Sequence, residues 1–252
     1  MDLSPAFYLV AASAVLITGI SKSGFGGGLG MMAVPLMSLF IAPQFAAAIL
    51  MPILLAMDII IVWQYRTNWD KRTVALLLPG SLFGLAIGAT AFQAMNGDVI
   101  RLLVGLLAMV FVALFLLRRQ HASQPQTTPV PIIFSLGAVS GFASFVAHAG
   151  GPPVKGILLR QQLEKSVFVG TNTMYFFVLN AIKTVAYGAM GQLTMGSLKV
   201  SLALSPMLVL GIALGLMLHR FINQSVFIKI VYGFLFLTGL KLLWDGVAGT
   251  FF

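Results

Sequence analysis

The chain has 252 residues, 59% of them hydrophobic and only 8% charged, with a mean hydropathy of +1.00. Soluble domains carry about 25% charged residues, so this composition excludes a soluble globular fold. The formal net charge of +9 does not mark a nucleic-acid partner, because the lysines and arginines fall in short connections between apolar runs.

Apolar runs lie near 5–20, 29–41, 44–65, 74–92 and 99–117. A polar stretch, RRQHASQPQTTP at 118–129, interrupts them, and its charges, glutamines and prolines predict an exposed linker. Further runs follow near 130–147, 152–159, 167–187, 198–218 and 226–244. The longer ones suit a hydrocarbon core of about 30 Å, and the lipid bilayer is the expected surrounding. The start, MDLSPAFYLVAASAVL, lacks a cationic n-region and a cleavage site, so the first run is expected to stay in the mature protein. The absence of cysteine removes thiolate metal sites, disulfides and thiol catalysis; no metal and no cofactor are expected.

The linker divides the chain near its middle, and the halves resemble each other. At an offset of 127, Pro79, Gly84, Gly88, Asn96 and Val99 align with Pro206, Gly211, Gly215, Asn223 and Val226. Upstream the offset becomes 122, pairing Gly19 with Gly141 and Gly28 with Gly150. The GxxxG pairs let helices approach closely in lipid, and they suit internal packing and a homodimer seam equally. The glycine-rich break SKSGFGGG thus faces SFVAHAGGPP, Ser144 to Pro153. Interrupted segments at corresponding places in two halves point to a transport site.

Arg66, Lys71 and Arg72, then Arg118 and Arg119, Arg160 and Lys165, and Arg220 occupy four connections that should all be cytoplasmic. That requires each broken pair of segments to form a hairpin returning to its own side, leaving three full crossings per half. Three is odd, so the second half enters the membrane upside down. The expected fold is an all-α polytopic membrane protein of two inverted repeats, 1–117 and 130–252, joined by a cytoplasmic linker at 118–129. Each repeat is a re-entrant helical hairpin plus three full transmembrane helices, with both termini outside.

At half-helices of 13 to 18 residues, about 20 to 27 Å long, each break should lie near or beyond the midplane. Bare backbone there persists only against protein or a cavity, and helix starts favour an anion. Gly26, Gly27 and Gly28 let backbone approach a ligand. Lys22 and Ser23 lie in the first break and His148, Gly150 and Gly151 in the second, with Lys155 just beyond. In the run 171–187, Thr173, Asn180, Thr184 and Tyr187 share one helix face, with Lys183 beside them; such a stripe lines something wet or polar. Bland readings stand next to these: snorkelling for Lys22 and Lys183, a carbonyl partner for His148, interhelical bonding for the Thr and Asn stripe, the cytoplasmic cluster for Lys155. Asp58 is the one carboxylate inside an apolar run. It is read as a structural ion pair, with proton coupling or a bond to a broken helix as alternatives. Asp70, Asp98, Glu164 and Asp245 are read as boundary or cap residues.

With these residues in view, the chain resembles the sulfite exporter TauE/SafE family of membrane permeases. The resemblance covers nearly all of it and rests on GFGGGLGMMAVPL at 24–36, MDIIIVWQYRTNWDKR at 57–72, GFASFVAHAGGPPVKGILL at 141–159 and VGTNTMYFFVLNAIKTVAY at 169–187. It implies a carrier in the bacterial inner membrane for small sulfur-containing anions such as sulfite or organosulfonates, often acting in export. Matching positions are Gly26, Gly27, Gly28 and Pro35, then Gly150, Gly151, Pro152, Thr171 and Asn172; AHAGGPP departs from the pattern by its histidine. The expected site holds the oxyanion at glycine amides and helix ends, with Lys22, Lys183 and His148 supplying positive potential and Asn172, Thr173 and Asn180 neutral donors. No GxxxxGK[ST] motif is present, so gradients would supply the energy. An uncoupled channel, or a carrier of another small anion or metabolite, is the alternative. An intramembrane enzyme lacks HExxH and paired carboxylates, and a cation carrier would depend on Asp58.

Overall fold

The computed structural model describes residues 3–24, 27, 30–117, 127–218 and 224–251. Gly26, Gly28, Arg118, Arg119, Arg220 and Asn223, which the sequence singles out, lie outside the described residues. The described chain forms ten α-helices: α1 Pro5–Gly24, α2 Ala33–Met37, α3 Pro43–Tyr65, α4 Lys71–Ala94, α5 Gly97–Leu117, α6 Val130–Ala147, α7 Gly151–Arg160, α8 Lys165–Ala189, α9 Met195–Leu218 and α10 Gln224–Phe251. A 3-10 turn, Gly30–Met32, leads into α2. Among the described residues seven helices, α1, α3, α4, α5, α6, α9 and α10, are long and apolar enough to cross a membrane. The helix α8 has 25 residues but is diluted by its polar stripe.

Helix α1 runs four residues past the expected end of its apolar run and takes in Ser21, Lys22 and Ser23. The serines do not stop it, because Ser23 Oγ donates to Gly19 O at 2.9 Å and to Ile212 O of α9 at 3.0 Å. Lys22 and Ser23 therefore belong to its last turn, and the break begins beyond them. The hairpin arms are unequal: α1 has 20 residues and α2 only 5, while α6 has 18 and α7 has 10. At 20 residues α1 reaches about 30 Å, a full hydrocarbon thickness.

The closest helix pairings are α4 with α6, α1 with α9, α5 with α10 and α3 with α8. Glycine makes the first two possible. A Cβ on Gly84 would sit 1.8 Å from Ala138 O of α6, and one on Gly211 would sit 2.7 Å from Leu16 O of α1. The GxxxG faces at Gly84 and Gly211 are thus used inside the molecule. Contacts step forward together, Gly80 to Phe134 and Gly84 to Ala138, so α4 and α6 run parallel. Likewise α1 and α9 are parallel. By contrast α5 and α10 are antiparallel, with Phe115 stacked on Tyr232 at one end and Gly249 against Asp98 at the other.

The core is built on α3, whose run from Ala46 to Met51 is wholly buried. Leu116, Leu117, Val185, Leu202 and Trp244 face outward, the pattern of helices solvated by hydrocarbon. Of the boundary acids, Asp70 caps α4 by accepting from Arg72 N at 2.9 Å, and Asp98 pairs with Arg101 at 2.6 Å. Asp245 is not at a helix end, because α10 continues to Phe251; it pairs with Lys241 one turn back.

Candidate functional site

Both long arms close in the same way. Gly27 N donates to Ser21 O at 2.8 Å, and Ala149 N donates to Ala143 O at 3.1 Å. Each atom of the first bond is separated from its counterpart by 122 residues. The turns use left-handed backbone, at Gly27 with φ 69° and at His148 with φ 52°. Glycine is required at the first, since a Cβ would also meet Asn172 Nδ2 at 3.1 Å.

A cavity of about 40 Å³ lies where the two breaks meet α3 and α8. Lys22, Gly27, Asp58, His148, Gly151, Asn172, Thr173, Asn180 and Lys183 all line it, with Gly30 and Ser144 beside them. Its apolar wall is Met31, Leu54, Ile61 and Phe176. The second arms both start there, at Gly30 and Gly151. The start of α7 offers few amides, however, because Pro152 and Pro153 have no N–H.

One polar chain crosses the cavity. Lys22 Nζ donates to Asp58 Oδ1 at 2.5 Å, and Asn180 Nδ2 donates to Asp58 Oδ2 at 2.6 Å. Asp58 is 1% exposed, and one cation and one amide occupy its two oxygens, the condition on which a buried ion pair persists. Lys183 is fully buried. Its Nζ lies 2.6 Å from Ser144 O, 3.1 Å from Ser144 Oγ, 2.6 Å from His148 Nδ1 and 3.3 Å from Asn180 Oδ1. Ser144 O, Asn180 Oδ1 and His148 Nδ1 together offer three acceptors, which an ammonium with three N–H fits, and none of them is a carboxylate. His148 Nε2 lies 2.9 Å from Ala47 O, which can only accept; Nε2 therefore bears the hydrogen and Nδ1 faces Lys183.

Three sequence-derived candidates stand apart from the cavity. Ser23 faces α9, as described above. Thr171 Oγ1 instead accepts from Asp70 N at 2.8 Å, fastening α8 to the start of α4. Gly150 lies just behind the lining, its carbonyl accepting from Ser140 Oγ at 2.7 Å. The stripe on α8 divides: Thr173, Asn180 and Lys183 reach the cavity, while Thr184 bonds back to Asn180 O and Tyr187 donates to Phe145 O at 2.7 Å. Lys155 lies partly buried within α7.

Sequence reasoning passed over Ser144, Leu54, Ile61 and Phe176. The signal that finds them is the 122-residue offset already seen in the glycines. It pairs Lys22 with Ser144, Leu54 with Phe176, Asp58 with Asn180 and Ile61 with Lys183, and all eight line this cavity. Behind it, Tyr175 OH is bonded to Ser81 Oγ at 2.7 Å and Ser140 Oγ at 2.9 Å, a cluster tying α8 to α4 and α6 that no motif announced.

Neither the curated proteins nor the solved structures contain a match to this chain. The family model described as sulfite exporter TauE/SafE matches residues 11–242, which include both breaks and every residue of the cavity. On that match the chain belongs to the sulfite exporter TauE/SafE family and is a multi-pass membrane transporter.

Proposed function

We propose that the protein is a secondary transporter that carries a small sulfur-containing anion, sulfite or an organosulfonate, across the bacterial inner membrane, with export as its working direction. The observation that carries this reading is the charge of the cavity: Lys22 and Asp58 neutralise each other, and Lys183 remains. Buried cation without a carboxylate is costly in a membrane and marks a functional site. An oxyanion answers it, with Asn172, Thr173 and Gly151 as neutral contacts. A cation is served poorly, because both oxygens of Asp58 are already taken. The small volume suits a ligand of few atoms.

The transport cycle is alternating access between two inverted halves, 1–117 and 130–252, joined at 118–129. Supporting this, exchange of α1–α5 for α6–α10 turns the α1–α9 pairing into the α6–α4 pairing and maps α3–α8 and α5–α10 onto themselves. The full crossings are α3, α4 and α5 in one half and α8, α9 and α10 in the other. The basic connections are the cytoplasmic side, and both termini are outside. Two of those connections are each tied to the helix that follows the other: Asp70 N donates to Thr171 Oγ1 of α8, and Gln161 Nε2 donates to Thr73 Oγ1 of α4 at 3.0 Å. Rocking of one half against the other would open the cavity to each side in turn.

The test is sulfite flux into proteoliposomes as a function of concentration. A carrier saturates; a flux that stays linear over the accessible range identifies an uncoupled channel instead.

A further inference from the structure

The pair Lys183 and His148 holds a feature that anion binding alone does not require. With Nε2–H given to Ala47 O, only Nδ1 of His148 is left to face Lys183 Nζ, at 2.6 Å. A bond of that length needs one hydrogen between the two nitrogens. An ammonium beside a neutral imidazole supplies it, as do an amine beside an imidazolium and a neutral amine beside a neutral imidazole. Because Ser144 O and Asn180 Oδ1 also only accept from Nζ, three N–H are called for there, and the ammonium is the form that fits. An ammonium against an imidazolium would set N–H against N–H and has no bond to make. The pair therefore carries one positive charge, and with Lys22 and Asp58 cancelling, so do the side chains of the cavity. One charge neutralises a monoanion; a dianion leaves one charge unmet in a medium that tolerates none.

Resting on the transport reading above, we propose that His148 is the coupling group: a dianion crosses with one proton carried on His148 Nδ1, and a monoanion crosses without one. When a dianion enters, Lys183 turns an N–H from Nδ1 to an anion oxygen. The freed lone pair of Nδ1 takes a proton from the aqueous side, Nε2–H stays on Ala47 O, and the cavity gains the second positive charge. No bond other than the new N–H forms. On the far side anion and proton leave, and Lys183 returns to Nδ1.

The surroundings leave His148 the group free to change. Lys183 of α8 stands beside it, and Lys22 of α1 and Asp58 of α3 close the opposite wall as a bonded pair. Tyr187 of α8, its ring 6.1 Å away, has given its hydroxyl to Phe145 O. From α3 the contact is the Ala47 carbonyl. His148 is partly open to the cavity, whereas Lys183 is fully buried.

Sulfite is a suitable probe because it exists as a monoanion and a dianion in the range where histidine titrates. The full-length protein is reconstituted in vesicles, and the charge moved per sulfite is read from the membrane potential, set with potassium and valinomycin, at which net flux stops. The expected result is one negative charge per sulfite at about pH 6 and at about pH 8. In His148→Asn the amide oxygen replaces Nδ1 as acceptor, and asparagine tolerates the left-handed backbone. That variant should carry bisulfite only, its rate falling about tenfold per pH unit once the dianion predominates, while wild type falls less. Two charges per sulfite at the higher pH in wild type overturns the proposal, a result that needs no variant. So does a His148→Asn protein with the wild-type pH dependence. Absence of any sulfite flux removes the transport reading itself and is thereby distinguished from failure of coupling.

Discussion

Asp58 Oδ2 accepts a hydrogen bond from Asn180 Nδ2 at 2.6 Å, and the two residues stand 122 positions apart, the spacing that also separates Gly19 from Gly141. Corresponding places of the two halves thus touch at the cavity, with a carboxylate on one side and its neutral isostere on the other. That single difference sets the charge of the site.

Asn180→Asp places one carboxyl oxygen 3.3 Å from Lys183 and the other 2.6 Å from Asp58 Oδ2. The two carboxyls then share a proton, and Lys183 gains a direct acidic partner that competes with the oxyanion. The protein should fold, as judged by its thermal transition in detergent, but lose sulfite binding by at least about tenfold, corresponding to about 1.4 kcal/mol. Exchange of the two groups, Asp58→Asn with Asn180→Asp, restores one carboxylate facing one amide and should recover part of the transport.

Asp58→Asn leaves Lys22, whose side chain is 13% exposed, without its counter-ion. A loss of about 3–5 kcal/mol is expected for breaking a buried pair, read as a lowered unfolding midpoint. Lys22→Met combined with Asp58→Asn should be more stable than Asp58→Asn alone. If the single variant is as stable as wild type, the pair does not hold the seam together.

Gly27→Ala should cost about 1–2 kcal/mol for left-handed backbone and push Asn172 off the cavity, abolishing transport. Gly156→Ala, on a helix where an added Cβ meets nothing within 4 Å, should leave both stability and transport intact. Parallel thermal and flux measurements on the two variants separate site strain from loss of glycine in general.

Thr171→Val removes the acceptor of Asp70 N, a bond outside the cavity lining. It should cost about 1–3 kcal/mol through an unsatisfied donor and leave the ranking of competing anions unchanged. A changed ranking in competition assays would return Thr171 to the binding site.

Much of this fold is legible in the sequence because hydrocarbon imposes simple rules on it. Run lengths place α3 to α9 to within three residues, while α10 continues seven residues past its expected end, and the breaks are announced by clustered glycine and proline. The length of α1 was not legible: Ser21, Lys22 and Ser23 look like a terminus until Ser23 is seen bonding Gly19 O and Ile212 O. The polar side of the site is legible from charge inside apolar runs, as with Asp58 and Lys183. Direction is harder to read. Thr171 and Asn172 are adjacent, yet one turns to Asp70 and the other to the cavity, because helical phase against a neighbour is set by packing. Ile61 and Phe176 are ordinary apolar residues until the 122-residue offset sets them against Lys183 and Leu54.

The most direct test of the account is counterflow. Vesicles holding wild-type protein are loaded with unlabelled sulfite, sulfoacetate or chloride, and entry of labelled sulfite is followed beside the Asn180→Asp and Gly27→Ala variants. The account predicts saturable exchange driven by the sulfur oxyanions and lost in both variants. Exchange driven by none of these anions, or a flux that ignores both substitutions, would contradict it.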